Sequence, residues 1–284
     1  MAIALTGLYR YPVKSCRRDE LTHAEVEPWG LAGDRRWMIV DDQGSMLSAR
    51  EHPRMLLVSA HLDGGGLRLA TPGMADLTVK APDGSGLTRV RIWDTPVDAS
   101  PAAPEAHMWF STVLGVPAQL VYLDDPTRRR TDPEFGQAGD RVSFADGYPL
   151  LLASTESLEA LNAAIAEGPR AAEGPLPMTR FRPNLVVSGA PAWAEDGWRR
   201  MRIGNVTFRV VKGCDRCVLT MIDPETAAKT KEPIATLSRI RRWDGATWFA
   251  MNLIPDAPRP SDSVRVGDPV EILDEVVATD GPAR

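Results

Sequence analysis

Short runs that alternate hydrophobic and polar residues dominate the chain. Residues 206–210 (VTFRV) place valine or phenylalanine at every second position and end before Lys212 and Gly213. This period of two is typical of a half-buried strand. Similar short apolar runs, mostly bounded by Gly, Pro, Asp or Asn, predict further strands at residues 37–40, 90–92, 120–122, 150–152, 185–187 and 264–266.

Helical periodicity appears in only three places. The segment STESLEALNAAIAEGP, which starts at Ser154, places its leucines and an isoleucine on one face and ends at a Gly-Pro stop. A second helix is predicted over Pro104–Leu114, ahead of Gly115, and a short third helix after Pro233. The pattern therefore predicts a mainly β fold with inserted helices (α+β), built from β-barrel-like domains.

A polar stretch at residues 123–128 (LDDPTR) separates an apolar strand from a loop rich in proline, glycine and charge. Such composition is typical of a domain boundary. We predict two packed domains, residues 1–123 and 124–278, followed by a tail at 279–284. No G-x-G-x-x-G turn lies in a βαβ unit and no internal repeat is visible, which argues against a Rossmann fold.

Composition limits the classes of function. With 43% hydrophobic and 25% charged residues, the 284-residue chain is an ordinary globular protein. No apolar stretch is long enough to span a bilayer, and the amino terminus lacks a signal-peptide pattern. We therefore expect a cytoplasmic protein that does not bind a membrane. The net charge of −5 gives no support for a nucleic-acid partner.

Arginine supplies most of the positive charge. Only five of the 33 basic residues are lysines, so the cations are mostly planar guanidinium groups that suit phosphate and carboxylate ligands. Arg128, Arg129 and Arg130 form a local basic cluster, which we expect to be exposed and to suit an acidic protein partner.

Three cysteines are too few for a disulfide framework and fit a reducing compartment. Two of them, Cys214 and Cys217, lie in VKGCDRCVLTMIDPET, just after a predicted strand. A structural zinc site lacks ligands, because only Cys16 and four scattered histidines remain. A redox dithiol is disfavoured because residues 218–222 are predicted to be extended rather than helical.

Two readings of the cysteine pair remain open from the residues alone. Both thiols can be small buried side chains of a turn. Alternatively, one thiolate is a ligand for a soft or high-valent metal, favoured by the positive charges of Lys212 and Arg216.

Six ordered motifs carry a resemblance that spans nearly the whole chain. They are YPVKSC at 11–16, GDRRWMIVD at 33–41, ADGYPLLL at 145–152, RFRPNLVVSG at 180–189, CDRCVLTMIDPET at 214–226 and VRVGDPVEIL at 264–273. The chain resembles MOSC-domain proteins that carry a MOSC N-terminal β-barrel domain. That family includes the mitochondrial amidoxime reducing component and bacterial reductases of N-hydroxylated compounds.

The resemblance implies a molybdenum cofactor, in which a pyranopterin dithiolene holds the metal. It implies that Cys217 is the metal ligand and the catalytic residue, and that Cys214 is a bystander. The cofactor-binding residues implied by the motifs are Lys14, Ser15, Arg35, Arg182, Asn184 and Arg216. Because these residues come from both halves of the chain, we expect the cofactor at the domain interface.

The implied activity is the removal of oxygen from N-hydroxylated substrates such as amidoximes and hydroxylamines. Electrons would come from a separate ferredoxin- or cytochrome-type protein, because no cysteine follows Cys217 to build an iron–sulfur domain. One alternative is a sulfur or molybdenum-cofactor carrier that uses a persulfide or thiolate at Cys217. Another is a binding module without turnover.

Three further positions near the motifs are informative. Asp223-Pro224 is predicted to form a turn rather than to supply a catalytic acid. Ala227 stands where relatives often have glycine, so the sequence alone does not fix the backbone geometry of that turn. For Trp248 the sequence leaves two possibilities, a position in the core or a position beside the cofactor.

Overall fold

The computed structural model describes residues 2–277 and Gly281. Strands make up 38% of the structure, and three α-helices are inserted between them. The predicted mainly β class with inserted helices is therefore confirmed. Of the predicted tail at residues 279–284, all but Gly281 lies outside the described residues.

The first half of the described chain contains short strands and one helix. In chain order they are β1 (Ala4–Arg10), β2 (Asp19–Glu20), β3 (His23–Glu27), β4 (Gly30–Leu31), β5 (Trp37–Val40), β6 (Ser59–Asp63), β7 (Gly66–Ala70), β8 (Leu77–Lys80), β9 (Thr88–Ile92), β10 (Thr95–Pro101), α1 (Pro104–Leu114) and β11 (Gln119–Tyr122).

The second half contains longer strands and two helices. They are β12 (Leu150–Ser154), α2 (Thr155–Ala166), β13 (Leu185–Ser188), β14 (Trp198–Ile203), β15 (Val206–Asp215), α3 (Ile234–Ile240), β16 (Arg242–Trp243), β17 (Ala246–Pro255), β18 (Ser263–Arg265) and β19 (Val270–Glu275). Single turns of 3-10 helix connect several of them, including Met178–Phe181 and Val218–Met221.

All three predicted helices form, and their ends have local causes. Pro104 starts α1, and Gly115 ends it in the left-handed conformation with a φ of 72°. The hydroxyl of Ser154 accepts a hydrogen bond from the amide of Ser157 and so caps α2. No helix in the described part of the chain is both long and apolar enough to cross a membrane.

The largest sheet combines strands from both halves of the chain. Its order is β19-β14-β15-β17-β12-β13-β1-β2, with β16 also paired to β17. The remaining strands form one sheet of four (β5-β11-β10-β9) and two of three (β18-β3-β4 and β6-β7-β8). Within residues 2–277 these sheets do not close into a barrel.

The amino-terminal strand is buried within the second half of the structure. β1 pairs with β13 in antiparallel register, and Leu5 and Leu8 are at most 1% exposed in the core of the large sheet. β3 likewise pairs with β18. Two strands of the second half therefore pair with strands near the amino terminus. The domain boundary near residue 124 stays a prediction.

The basic cluster after that boundary is not uniformly exposed, so the expectation for Arg129 is wrong. Arg129 is 5% exposed, and its guanidinium donates to the backbone carbonyls of Ser143, Ala145 and Asp146. Burial lowers its pKa to about 10. Arg128, by contrast, is exposed and makes a two-pronged ion pair with Asp124 at 2.7 and 2.8 Å.

These neighbours therefore predict different costs on truncation. Arg129→Ala should lower the free energy of unfolding by about 3 kcal/mol, because it leaves several buried carbonyls without a donor. Arg128→Ala should cost less than about 1 kcal/mol, as is usual for exposed ion pairs. Urea denaturation of both variants measures the difference. Equal losses of unfolding free energy would contradict the role of Arg129 as a buried donor to these carbonyls.

Candidate functional site

A cleft of about 340 Å³ lies where strand ends and loops of the two halves meet. All seven residues that the motifs single out line it: Lys14, Ser15, Arg35, Arg182, Asn184, Arg216 and Cys217. They reach it from the loop after β1, the segment before β5, the segment before β13 and the loop after β15. The predicted convergence of distant motifs is thus observed, while the role of each residue is a matter for the proposal below.

Lys14 is held at the cleft wall by two oxygen atoms. Its Nζ donates to the carbonyl of Phe144 at 2.9 Å and to Oδ1 of Asp146 at 2.5 Å. Because Lys14 is only 8% exposed, burial lowers its pKa to about 8, against the opposing effect of Asp146. The ammonium form therefore still predominates at neutral pH.

Two guanidinium groups lie over one tyrosine ring. Arg35 Cζ is 4.2 Å and Arg182 Cζ is 4.3 Å from the ring centre of Tyr11. Burial raises the pKa of Tyr11 to about 12, so the ring stays neutral, and its hydroxyl donates to the carbonyl of Pro183. Arg182 also donates to the carbonyl of Cys16 at 2.8 Å. These contacts fix two planar cations against the same ring at the cleft.

Asn184 is fully buried, and the protein uses its whole amide. Its Nδ2 donates to the carbonyl of Tyr9 and to Asp34 Oδ1, both at 3.1 Å. Its Oδ1 accepts from Arg35 Nη1 at 2.8 Å and from the amide of Leu151 at 3.2 Å. Two donors and two acceptor positions are the full capacity of the amide. Asn184 thus orients Arg35 and has no hydrogen-bonding group left for a ligand.

Three residues of the site have backbones in the left-handed region. The φ angles are 67° for Ser15, 45° for Arg35 and 56° for Arg182. This region is unfavourable for side chains other than glycine and recurs at ligand sites, where surrounding contacts enforce it. The sequence carried no signal of it, because none of these positions is glycine, asparagine or aspartate.

The cysteine loop departs from its predicted secondary structure. β15 continues through Cys214 to Asp215, beyond the predicted end at Gly213. Residues 218–222, predicted to be extended, instead begin with the 3-10 turn Val218–Met221, which Cys217 precedes directly. The prediction of an extended segment was wrong because it relied on the β propensity of apolar and β-branched residues. In a short turn, tertiary packing outweighs that propensity. The pair does precede a helical turn, although not an α-helix.

Arg216 contacts the first thiol rather than the second. Its Nη1 donates to Cys214 Sγ at 2.8 Å and its Nη2 to the carbonyl of Phe181 at 2.8 Å. Burial raises the pKa of Cys214 despite this guanidinium. The Nε of Arg216 is buried and has no hydrogen-bond partner. A buried donor that lines a cleft without a partner is suited to an acceptor group on a ligand.

Cys16 cannot join the other two cysteines as a metal ligand. It is fully buried in the apolar core of the first half, and burial raises its pKa to about 12. In the part of the chain that the structure describes, no group of three or more His, Cys, Asp or Glu side chains is placed to hold a metal ion. The prediction against a structural zinc site stays a prediction.

Several cleft residues were missed by the motifs. Arg180 is 5% exposed, donates to Asp223 and to Thr230, and has an unpartnered Nε. Asp146, Arg50 and Trp93 also line the cleft. Asp146 lies within a quoted motif, but nothing marked it as the partner of Lys14. Only the fold brings Arg50 and Trp93 to the site.

Two open positions are settled by the structure. Asp223 Oδ1 accepts hydrogen bonds from the amides of Glu225 and Thr226, so it builds a turn as predicted. Trp248 is 5% exposed, donates to the carbonyl of Trp243 and does not line the cleft, so it is a core residue.

Comparison with known proteins shows the family. The family model described as "MOSC N-terminal beta barrel domain" matches residues 2–117, and the model described as "MOSC domain" matches residues 139–271. The chain belongs to the family of MOSC-domain proteins with a MOSC N-terminal β-barrel domain.

Its relatives include the mitochondrial amidoxime-reducing component 1 of Homo sapiens, which is 30% identical over 94% of this chain and 82% of that protein. The mitochondrial amidoxime reducing component 2 of Homo sapiens is 33% identical over 93% of this chain and 81% of that protein. The component 1 of Xenopus laevis is 31% identical over 94% and 81%. These names place the relatives in mitochondria, so the cytoplasmic location expected for this chain stays a prediction.

The turn after the cysteine loop gives a stability prediction. Ala227 has a φ of 60°, a backbone conformation that glycine adopts without strain. Ala227→Gly should therefore raise the free energy of unfolding by about 0.5–1 kcal/mol, since relief of strain exceeds the added chain entropy. Its neighbour Ala228 does not have a positive φ, so Ala228→Gly should lower stability by a similar amount. Chemical denaturation measures both, and the same sign for both variants would contradict the assignment.

Proposed function

We propose that the protein is a molybdenum-cofactor-dependent oxidoreductase that reduces N-hydroxylated compounds such as amidoximes and hydroxylamines. The observation that carries the proposal is the convergence of seven residues, from four separate motifs, on one cleft. They supply a thiol, an ammonium, a hydroxyl, an amide and three guanidinium groups. The names of the relatives, which are amidoxime-reducing components, support the same class of substrate.

The donor set fits a pyranopterin with a phosphate. Arg35, Arg182 and Lys14 bring fixed positive charge to the cleft, and guanidinium forks suit phosphate oxygens and pterin edges. The unpartnered Nε of Arg216 offers one more donor. Cys217 would supply the soft anionic ligand that molybdenum in a dithiolene accepts. When bound, the cofactor supplies the two-electron redox chemistry that breaks the N–O bond.

The other side chains position these groups. Asn184 and Asp34 hold Arg35, and Arg182 is held by the backbone and by the Tyr11 ring. We assign Asn184 this orienting role rather than direct contact with the cofactor. Arg129 fixes the backbone around Asp146, which in turn holds Lys14. The cofactor would thus meet cations whose positions are already set, which reduces the entropic cost of binding it.

The overall reaction needs protons as well as electrons. An amidoxime takes up two electrons and two protons and yields an amidine and water. Lys14 carries a proton on Nζ at neutral pH and lines the cleft, so it can also donate there.

Metal content of two single variants tests the ligand. Protein made in a host that synthesises the cofactor should contain about one molybdenum per chain and reduce an aryl amidoxime with a reduced viologen dye. Cys217→Ala should lose both the metal and the activity, because no second anionic soft ligand replaces the thiolate. Cys214→Ala is the matched control and should keep most of the metal.

The outcome separates the competing functions. Equal molybdenum in the wild type and in the Cys217 variant would refute the ligand assignment. A sulfane sulfur on Cys217 in protein that holds no molybdenum would instead support the carrier function. Neither metal nor sulfur would support a binding module.

Electron supply gives a separate prediction. The chain has three cysteines, too few for a four-cysteine iron–sulfur centre, and lacks a nicotinamide-binding fingerprint. Loaded protein should therefore reduce the amidoxime with the viologen dye but not with NADH or NADPH alone. A separate ferredoxin- or cytochrome-type protein should restore nicotinamide-dependent turnover. Steady NADH oxidation by the purified protein alone would contradict the requirement for a separate electron-donor protein.

A further inference from the structure

An exposed tryptophan occupies a strained turn beside the cleft. Thr95 pairs with Ile92, so the hairpin between β9 and β10 turns on two residues, Trp93 and Asp94. Trp93 has a φ of 52°. The first turn residue of a two-residue hairpin needs a positive φ and is commonly glycine or asparagine. A bulky aromatic residue here costs stability, and strain of this kind is typical of functional sites.

Contacts with both halves of the chain hold the indole ring in place. The guanidinium carbon of Arg50 lies 4.4 Å from the ring centre of Trp93. The ring Nε1 donates to Asp146 Oδ1 at 3.1 Å, the same atom that accepts from Lys14. The hairpin is thus tied to the loop that holds the ammonium group, and the ring has a defined orientation at the cleft wall.

Trp93 provides the accessible aromatic surface of the cleft. It is 42% exposed, whereas the two other aromatic side chains among the described lining residues, Tyr148 and Phe181, are 7% and 0% exposed. Most of the remaining lining is polar or charged. A ligand that enters from solvent therefore meets one large apolar face, next to the carboxylate of Asp146.

The contacts of that face indicate the chemistry it accepts. The ring of Trp93 already binds a planar guanidinium, and an amidine is a close structural analogue of that group. Both described hydrogen bonds to the Asp146 carboxylate fall on Oδ1, which leaves Oδ2 for the N–H groups of a ligand. A planar ring that carries an amidoxime or amidine group matches this combination of aromatic surface and carboxylate.

We propose that Trp93 is a specificity-determining residue that selects aryl over small aliphatic substrates by stacking on the planar group. This rests on the proposed reductase function and names the substrate class of the same site. The strain at Trp93 is retained because glycine, which would relax the turn, would remove the surface for binding.

Kinetics of three variants test the proposal. Trp93→Gly should raise KM for benzamidoxime roughly three- to thirtyfold, the loss expected for a stacking or cation–π contact, with kcat changed less. KM for N-methylhydroxylamine, which has no ring, should stay within about twofold of wild type. Trp93→Phe keeps an aromatic face and should retain most of the preference. Met108→Ala, an exposed apolar truncation outside the cleft, is the matched control.

Three measurements do not depend on turnover. By calorimetry, the wild type should bind benzamidine more tightly than acetamidine, and Trp93→Gly should lose that difference. Trp93→Gly should also unfold at a higher temperature than the wild type, because its turn is relaxed. Molybdenum content should be the same in all variants.

Each contrary result has a distinct meaning. Failure of the wild type to bind molybdenum or to reduce either substrate would refute the proposed function, while the benzamidine measurement would still decide the role of Trp93. Unchanged discrimination in Trp93→Gly, in KM or in amidine affinity, would overturn the proposal. So would an increase in KM confined to the electron donor, which would assign Trp93 to a docking surface for that protein.

Discussion

The buried amide of Asn184 is the interaction on which the site depends. It joins the backbone of β12, the backbone of β1, the carboxylate of Asp34 and the guanidinium of Arg35 through four hydrogen bonds. A buried polar group of this kind stabilises a single arrangement, because any shift leaves a donor or acceptor without a partner. The left-handed backbone of Arg35 and its place over Tyr11 are enforced by this network.

Charge in the cleft is balanced by backbone and carboxylate oxygens rather than by a general excess of basic residues. The chain is net acidic at −5, yet several cations line the candidate cleft. Lys14 faces Asp146, Arg35 faces Asp34, and Arg180 faces Asp223. Each pair offsets part of the desolvation cost of its cation while leaving other donor positions for an anion.

Local patterns predicted elements well and the site in part. The start at Pro104 and the stop at Gly115 define α1 without help from the fold, because both act through the local backbone. The turn Val218–Met221 was missed because its apolar residues follow tertiary packing. Motifs identified Lys14 and Arg182, which have recognisable neighbours, but not Trp93, which reaches the cleft only through the pairing of β9 with β10.

The tertiary structure also explains why Arg129 was wrongly expected to be exposed, and it shows that Asn184, predicted to bind the cofactor, forms hydrogen bonds within the protein. A sequence shows which groups can form hydrogen bonds but not which bonds the protein itself completes. Both residues donate hydrogen bonds to backbone carbonyls that come close to them only in the folded protein. Satisfaction of hydrogen bonds is a property of the tertiary structure.

The pairing of β1 with β13 has a consequence for how the protein can be divided. A fragment that ends near residue 123 would expose the edge of β1, and one that begins there would lack Leu5 and Leu8 from its core. Unpaired edges and missing core side chains both favour aggregation. A fragment of the second half would therefore need the first thirty residues to complete its sheets and its core.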